Sequence, residues 1–164
     1  MARARDTEFA EFFSARFDTY RRIAHALCGD WAEAEEIAQE SFVKVYARWS
    51  KIRRETADAY LRTVVTRAFL DTRRRGRARE HSVPEVPDTA VDGESDVPEQ
   101  QVLRAALLGV PPGQRAVLVL RFVADLSVDD VASALGCSPG TVKSQTARGL
   151  VALRAAYPAS ARSV

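Results

Sequence analysis

Apolar residues recur at steps of three and four along most of the chain, which is the spacing of one face of an α-helix. Gly29 and Asp30 interrupt this spacing, and Asp30 is placed to cap a following helix with Glu33 at the capping-box position. Another helix is expected to begin near Asp58, after a basic stretch. The first half therefore predicts three helices, whose apolar stripes cover residues 9–27, 34–49 and 60–69.

The second half carries clearer signals for where helices begin and end. Ser127 opens a capping box with Asp130, and Gly136 is suited to a left-handed helix end. Ser138 can cap a further helix that has Pro139 at its first position. Four helices are predicted, over residues 100–108, 114–123, 127–135 and 138–156. In the second of these, the residues expected to be largely buried are Val117, Leu118, Leu120 and Phe122.

Between the halves, the apolar spacing disappears. Residues 76–98 contain three prolines, and the stretch from Pro84 to Pro98 has five acidic residues and no basic one. Such a composition predicts a flexible linker without regular structure. The predicted fold class is therefore all-α, with two small helical domains, residues 8–75 and 99–157, joined by an acidic linker over residues 76–98.

A dense arginine block spans the boundary between the first domain and this linker, with five arginines from Arg73 to Arg79. Such a block favours a polyanionic partner, usually a nucleic acid, because each phosphate contact releases a counterion. A solvated charge run without a partner is the alternative. The net charge of +2 hides this local excess because the acidic linker follows it.

Cysteine and histidine usage argues against several classes of site. Cys28 and Cys137 lie in opposite halves, and His25 and His81 are isolated, so neither a disulfide framework nor a metal site is expected. No apolar run approaches the ~18 residues of a membrane span. The first eight residues lack the apolar core of a signal peptide, which predicts a cytoplasmic protein without membrane insertion.

Residues 127–153 have the geometry of a helix-turn-helix, with a short first helix, a turn containing Gly136 and a longer amphipathic second helix. Polar residues on the second helix would face DNA, where Gln can bind adenine and Arg can bind guanine. These residues are Lys143, Ser144, Gln145 and Arg148. An ordinary helical hairpin with a solvated polar face is the alternative.

Several segments, in the same order along the chain, resemble those of the extracytoplasmic-function (ECF) group of the sigma-70 family, in its actinobacterial type. Residues 126–144, LSVDDVASALGCSPGTVKS, and residues 112–121, PGQRAVLVLR, resemble region 4. Residues 34–42, AEEIAQESF, resemble region 2.2, and AYLR and DTRRR at 59–62 and 71–75 resemble the flanks of region 2.4. The resemblance covers about residues 8–156 and implies a sigma factor that directs promoter-specific transcription initiation.

The resemblance implies contacts with the RNA polymerase core, through a coiled coil of its largest subunit and through its flap. In region 2.2 the family uses an acid-x-x-Gln-acid pattern for the coiled coil, which falls here on Glu36, Gln39 and Glu40. Steps of three and four place these side chains on one helix face. Ordinary surface acids are the alternative interpretation.

Region 2 of the family reads the −10 element, mostly as melted single strands. The resemblance places this role on Lys51, Arg53 and Arg54 in a loop and on Arg67, Asp71, Arg74 and Arg75 in the third helix, with Arg73 beside them. Arg67 departs from the Asn that the family often carries. Trp49, Tyr60 and Phe69 are candidate stacking aromatics, although the apolar stripe favours a core position for the last two.

Region 4 of the family reads the −35 element, and the resemblance places this role on Thr141, Lys143, Ser144, Gln145 and Arg148. Gln145 is neutral where many relatives carry a base, which weakens the phosphate contribution. The family also implies an anti-sigma partner and a linker that threads through the polymerase, although an inert tether is an equal alternative. No catalytic residue, cofactor or small-molecule substrate is expected.

Two other classes of function remain. A conventional repressor or activator would bind palindromic duplex without polymerase, but it does not explain the arginine block or the region 2.2 pattern. An enzyme acting on nucleic acid would need a P-loop, a metal-ligand cluster or a nucleophile–base pair, and the sequence has none of these patterns.

Overall fold

The computed structural model describes residues 2–78 and 98–158, and the described residues fold as helices joined by short turns. The N-terminal module (residues 2–78) contains α1 Ala2–Cys28, α2 Trp31–Ala47, 3₁₀ turns at Trp49–Lys51 and Arg54–Thr56, and α3 Ala57–Ala78. The C-terminal module (residues 98–158) contains α4 Pro98–Leu108, α5 Pro112–Leu118, a π-helical turn at Val119–Val123, α6 Val128–Leu135 and α7 Pro139–Ala156. The all-α prediction is confirmed.

The turn between α1 and α2 follows the sequence signals. Gly29 ends α1 with φ +80°, and Asp30 caps α2 by accepting hydrogen bonds from the backbone of Ala32 and Glu33. The Glu33 side chain does not take part in the cap as its capping-box spacing suggested. It forms an ion pair with Arg73, at 2.7 Å between Oε1 and Nη1. A tertiary contact with α3 thus places this carboxylate.

An aromatic core holds the N-terminal module together. Phe42 lies at its centre, 2% exposed, with edge-on contacts to Phe9, Phe13 and Tyr20. Trp49 closes one end at 1% exposure. Aromatic side chains contribute large buried areas and favour such tilted contacts, so this core contributes a large share of the hydrophobic stabilisation.

The helix-turn-helix forms as predicted, with Ser127 capping α6, Gly136 ending it in the left-handed region at φ +68°, and Ser138 capping α7. The expected burial of Phe122 is wrong, because its side chain is 58% exposed. The α5 helix widens into a π-helical turn, in which the Ala124 N–H donates to the Val119 carbonyl. This wider turn shifts the helical register, and Phe122 and Val123 lie exposed within it.

The two modules pack against each other. Ala116 and Val119 of the C-terminal module belong to the same buried cluster as Leu27 and Phe69 of the N-terminal module. The third helix continues to Ala78, so residues 76–78, predicted as linker, are helical. Arg79, His81 and the acidic part of the predicted linker lie outside the described residues.

Candidate nucleic-acid and protein interfaces

A basic pocket lies where the 3₁₀ turns meet the start of α3. Its volume of about 480 Å³ falls in the range of small-ligand sites. Lys51 and Arg53 are exposed at this pocket, and the half-buried Tyr60 contributes to its wall. The structure thus brings together two residues predicted from the sequence with an aromatic ring expected in the core. Arg48, Ile52, Thr56, Ala59 and Thr63 complete the lining.

Arg54, also predicted to contact DNA, organises the loop behind this pocket. Its guanidinium forms an ion pair with Glu8 at 2.6 Å and lies 3.8 Å from the centre of the Trp49 ring. It also donates to the carbonyls of Trp49 and Ile52. Trp49 is almost fully buried beneath it, so this ring is not available as a stacking platform.

The candidate DNA-binding residues of α3 differ in their exposure and in the ion pairs that they form within the chain. Arg67, Arg74 and Arg75 are exposed, and Arg74 forms an ion pair with the half-buried Asp71 at 3.0 Å. Arg73 is engaged elsewhere, because it pairs with Glu33 and lies over the Phe69 ring. Phe69 is fully buried, as the apolar stripe predicted.

In α7, Thr141, Lys143, Ser144 and Arg148 are exposed and Gln145 is partly exposed. Leu150 of α7 is 37% exposed. Gly149 lies buried instead, and a Cβ atom there would be only 3.1 Å from the Leu118 side chain. This close approach of α7 to α5 turns Leu150 away from the core.

An apolar groove runs between α1 and α2, with a volume of about 600 Å³. Gln39, Val43 and Tyr46 line it from α2, and Val43 is 67% exposed. Phe9, Phe13, Phe42 and Asp6 complete the lining. Glu36 and Glu40 are exposed on the same helix.

Val43 and Tyr46 were not singled out from the sequence. The sequence does carry a signal for these two apolar residues, since they follow Gln39 by four and seven residues and so lie on the same, otherwise polar, helix face. The Tyr46 hydroxyl donates to Asp6 at 2.6 Å, and this hydrogen bond raises the pKa of Tyr46. The ring is thereby oriented along the groove.

Arg115, also missed, is 5% exposed and connects the two modules. It donates to the Leu27 carbonyl of the N-terminal module at 2.6 Å and to the Val110 and Leu108 carbonyls of its own module at 3.0 and 3.3 Å. Burial lowers the pKa of Arg115 to about 10, and burial raises the pKa of the nearby Cys28 thiol to about 12. No local sequence pattern marks Arg115 as buried.

Within residues 2–78 and 98–158, no group of three or more His, Cys, Asp or Glu side chains is arranged to hold a metal ion. No helix among these residues is long and apolar enough to cross a membrane.

Comparisons with known proteins agree with this geometry. Residues 13–79 match the family "Sigma-70 region 2", and residues 100–153 match "Sigma-70, region 4". The chain is 37% identical to the RNA polymerase sigma-E factor of Streptomyces avermitilis, over 94% of this chain and 87% of that protein. It is 36% identical to the ECF RNA polymerase sigma factor SigE of Mycolicibacterium smegmatis, over 84% of this chain and 56% of that protein.

The fold is similar to a solved structure that contains both modules. The sigma factor RpoE of Bartonella quintana, crystallised in complex with the anti-sigma factor NepR, superposes with a TM-score of 0.72 at 25% identity. The match covers 91% of this chain and 96% of that one. The chain belongs to the ECF group of the sigma-70 family, the RNA polymerase sigma factors that direct promoter-specific transcription initiation.

Proposed function

We propose a division of labour within this sigma factor, in which the N-terminal module binds core polymerase and unpaired −10 bases and the C-terminal module reads the −35 duplex. The observation that carries this proposal is the basic pocket beside Tyr60, because it combines cations and an aromatic wall at the start of α3. The working boundaries are residues 8–75 and 99–157, joined by residues 76–98.

The basic pocket suits a flipped base of single-stranded DNA. Proteins that bind single strands combine cations for the phosphates with aromatic faces for the bases. Lys51 and Arg53 supply the cations, and Tyr60 supplies the aromatic face. Arg67, Arg74 and Arg75 continue the positive charge along α3, so the adjoining backbone can follow the helix, with Asp71 orienting Arg74. Arg54 acts by holding the loop.

The apolar groove suits a helical protein partner. Val43 offers exposed apolar area, and Gln39 offers an amide for hydrogen bonding, while Glu36 and Glu40 add negative charge on the same helix. A partner helix with apolar and basic residues would therefore fit, as expected for the coiled coil of the largest polymerase subunit. Contact with the polymerase flap is proposed from the resemblance alone.

The α7 helix suits the major groove of duplex DNA. Its first turns carry Thr141, Lys143 and Ser144, followed directly by Gln145 and, one turn further along, by Arg148. Gln and Arg can each make bidentate contacts with a base edge, to adenine and guanine respectively. With Lys143 and Arg148 as the two cations among these five residues, the phosphate contribution to affinity is modest.

The proposed role requires no covalent chemistry from this chain and no cofactor. It requires contact with polymerase and promoter DNA, which places the chain in the cytoplasm. An anti-sigma factor is a further expected partner, since the similar sigma factor from Bartonella quintana was crystallised with one.

Run-off transcription with purified core polymerase tests the proposal. Adding the chain to core should produce promoter-specific transcripts, and the tagged chain should co-purify with the polymerase subunits. If the chain gives no promoter-specific transcripts with core polymerase, but binds a palindromic DNA duplex in the absence of polymerase, it would instead be a conventional repressor or activator.

A further inference from the structure

An ion pair connects the loop of the basic pocket to the start of α1. The Nε and Nη2 atoms of Arg54 lie 2.8 and 2.6 Å from the same oxygen, Oε2 of Glu8. The Nη1 atom of this guanidinium donates to the Trp49 and Ile52 carbonyls at 3.3 and 3.0 Å. Because a guanidinium is planar and its donors point in fixed directions, the carboxylate on one edge determines where the two carbonyls are held on the other.

Residues 48–56, here called the pocket loop, depend on contacts from other elements for their shape. They form two 3₁₀ turns, and neither turn has a side-chain hydrogen bond at its N-cap residue, Arg48 or Arg53. Such turns have poorer hydrogen-bond geometry than an α-helix. The contact between Arg54 and α1 therefore contributes more to the shape of this loop than it would to a regular helix.

The rings of α1 also hold the pocket loop. Trp49 is 1% exposed, and the rings of Phe9 and Phe12 lie 5.3 and 5.1 Å from its ring. The buried Trp49 indole N–H has no hydrogen-bond acceptor among the residues that the structure describes. Packing and the guanidinium 3.8 Å from the ring centre therefore keep the ring in place. Both phenylalanines lie in the first three turns of α1, as Glu8 does.

Glu8 acts on the basic pocket from outside it, since it does not line the cavity. Lys51 and Arg53 do line it, and these two cations flank Ile52, whose carbonyl accepts from the guanidinium. The segment that matches region 2 begins at residue 13, so Glu8 precedes it. A carboxylate before the family segment thus orients the backbone that carries both cations.

Charge alone would give Glu8 the opposite effect on DNA binding. A carboxylate near a DNA site repels phosphates, so its removal should strengthen binding if charge were its only contribution. If Glu8 orients the pocket loop, its removal should weaken binding. The sign of the change in affinity therefore separates the two roles.

We propose that Glu8 is a positioning residue for the −10 site, because it orients Arg54 and, through Arg54, the loop that presents Lys51 and Arg53. The consequence for DNA rests on the proposed function of the basic pocket. The effect on the pocket loop is independent of DNA and can be measured on the full chain alone.

The first test measures how the holoenzyme, at saturating core polymerase, binds a fluorescent single strand carrying the −10 element of a promoter active in run-off transcription. Glu8→Ala should weaken this binding about twofold to fivefold, the range of a half-exposed ion pair. Glu8→Gln should lose less, since its amide oxygen can still accept from Arg54. Glu11→Ala is the matched control, because Glu11 is exposed on the same helix and forms no ion pair among the described residues. It should leave the affinity unchanged or slightly higher.

A double-mutant cycle tests whether Glu8 acts through Arg54. In an Arg54→Ala background, Glu8→Ala should weaken oligonucleotide binding no further, because the group that it orients is gone. Core binding by Glu8→Ala should match that of Glu11→Ala, because neither residue lines the apolar groove. If Arg54→Ala fails to fold, the comparison of Glu8→Ala with Glu11→Ala decides the question by itself.

The second test measures amide hydrogen exchange in the free chain. The Lys51 and Ile52 amides donate to the Arg48 and Trp49 carbonyls within the pocket loop. Both amides should exchange about twofold to fivefold faster in Glu8→Ala, since the loop opens more often without the ion pair. Glu11→Ala should keep the exchange rates of the unmodified chain.

Unchanged or stronger oligonucleotide binding by Glu8→Ala, or an equal loss in the Arg54→Ala background, would overturn the positioning role. Exchange rates in the pocket loop that do not respond to Glu8→Ala would also overturn it. Failure of the proposed function would look different, because the exchange rates would respond while the unmodified holoenzyme would not bind the oligonucleotide. In that outcome Glu8 orders the loop without serving a −10 site.

Discussion

The two modules position their proposed DNA-binding surfaces in different ways. The N-terminal module places a loop pocket on a dense aromatic core, in which Phe42 and Trp49 are almost fully buried. The C-terminal module has a core of small aliphatic side chains such as Val131 and Val142, and it positions α7 through helix caps and the close contact at Gly149. The binding surface of the N-terminal module therefore depends on tertiary packing around its aromatic core, whereas that of the C-terminal module depends on local helix caps and one close helix contact.

The largest expected effect tests the aromatic core. Phe42→Ala should lower the free energy of unfolding by about 3–5 kcal/mol, because it removes a ring at the centre of the cluster. The adjacent Val43→Ala is the control, and it should change stability by less than about 0.5 kcal/mol while weakening binding to core polymerase. Denaturant unfolding measures the first effect, and a pull-down with core measures the second. Equal destabilisation by both would contradict the division between core and groove.

The next effect tests the close approach in the C-terminal module. Gly149→Ala should forgo the about 1 kcal/mol that Ala usually gains over Gly within a helix, because the added methyl group would lie 3.1 Å from the Leu118 side chain, which must then shift. Gly113→Ala is the control, because a Cβ atom there meets nothing within 4 Å. Thermal unfolding followed by circular dichroism would compare the two. If Gly149→Ala is tolerated as well as Gly113→Ala, the packing of α7 is looser than described.

The functional contrast between the modules predicts a split in activity. Replacing Gln39 and Glu40 by Arg should weaken core binding about tenfold or more, because it places positive charge opposite the basic residues expected on the partner. Replacing Lys143 and Arg148 by Ala should spare core binding and reduce −35-dependent transcription, by about tenfold or more for two lost contacts. Pull-downs and run-off assays on both variants measure this split. Parallel loss of both activities in both variants would refute it.

A variant of the basic pocket extends this contrast. Lys51→Ala with Arg53→Ala should reduce binding of a single-stranded −10 oligonucleotide by the holoenzyme, and the salt dependence of binding should become less steep. Both side chains are exposed, so unfolding free energy should stay within about 0.5 kcal/mol of the unmodified chain. A normal oligonucleotide affinity in this variant would remove the pocket from the −10 site.

The effect that is smallest at neutral pH concerns the Cys28 thiol beside the junction of the modules. Because burial raises the pKa of Cys28 to about 12 in the folded chain, its thiol stays protonated where an unfolded thiol ionises, from about pH 9. The folded state then holds more protons, so stability is full below pH 9 and falls as pH rises toward 12. The decline from this group is at most about 1.4 kcal/mol per pH unit. Cys28→Ala should reduce the fall of the free energy of unfolding with pH, measured by urea unfolding at several pH values. If the fall is unchanged, it comes from other groups.

Much of the candidate site could be predicted because its signals are local. The caps at Asp30, Ser127 and Ser138 depend on a side chain reaching backbone groups two or three residues away, and all three form. The exposed cations of α7 follow from its amphipathic spacing. Tyr60 was expected in the core, but it is only partly buried and lines the basic pocket.

The sequence by itself determined the helices, their ends and the positions of the charged surfaces, since these depend on neighbours within a few residues. Only the tertiary structure decided that Arg73 pairs with Glu33, that Gly149 admits Leu118, and that Arg115 joins two helix ends. These contacts span many residues along the chain, and their energies come from burial and from partners that no local pattern contains. The exposed Phe122 shows the same limit, since a π-helical turn changes the register on which the prediction depended.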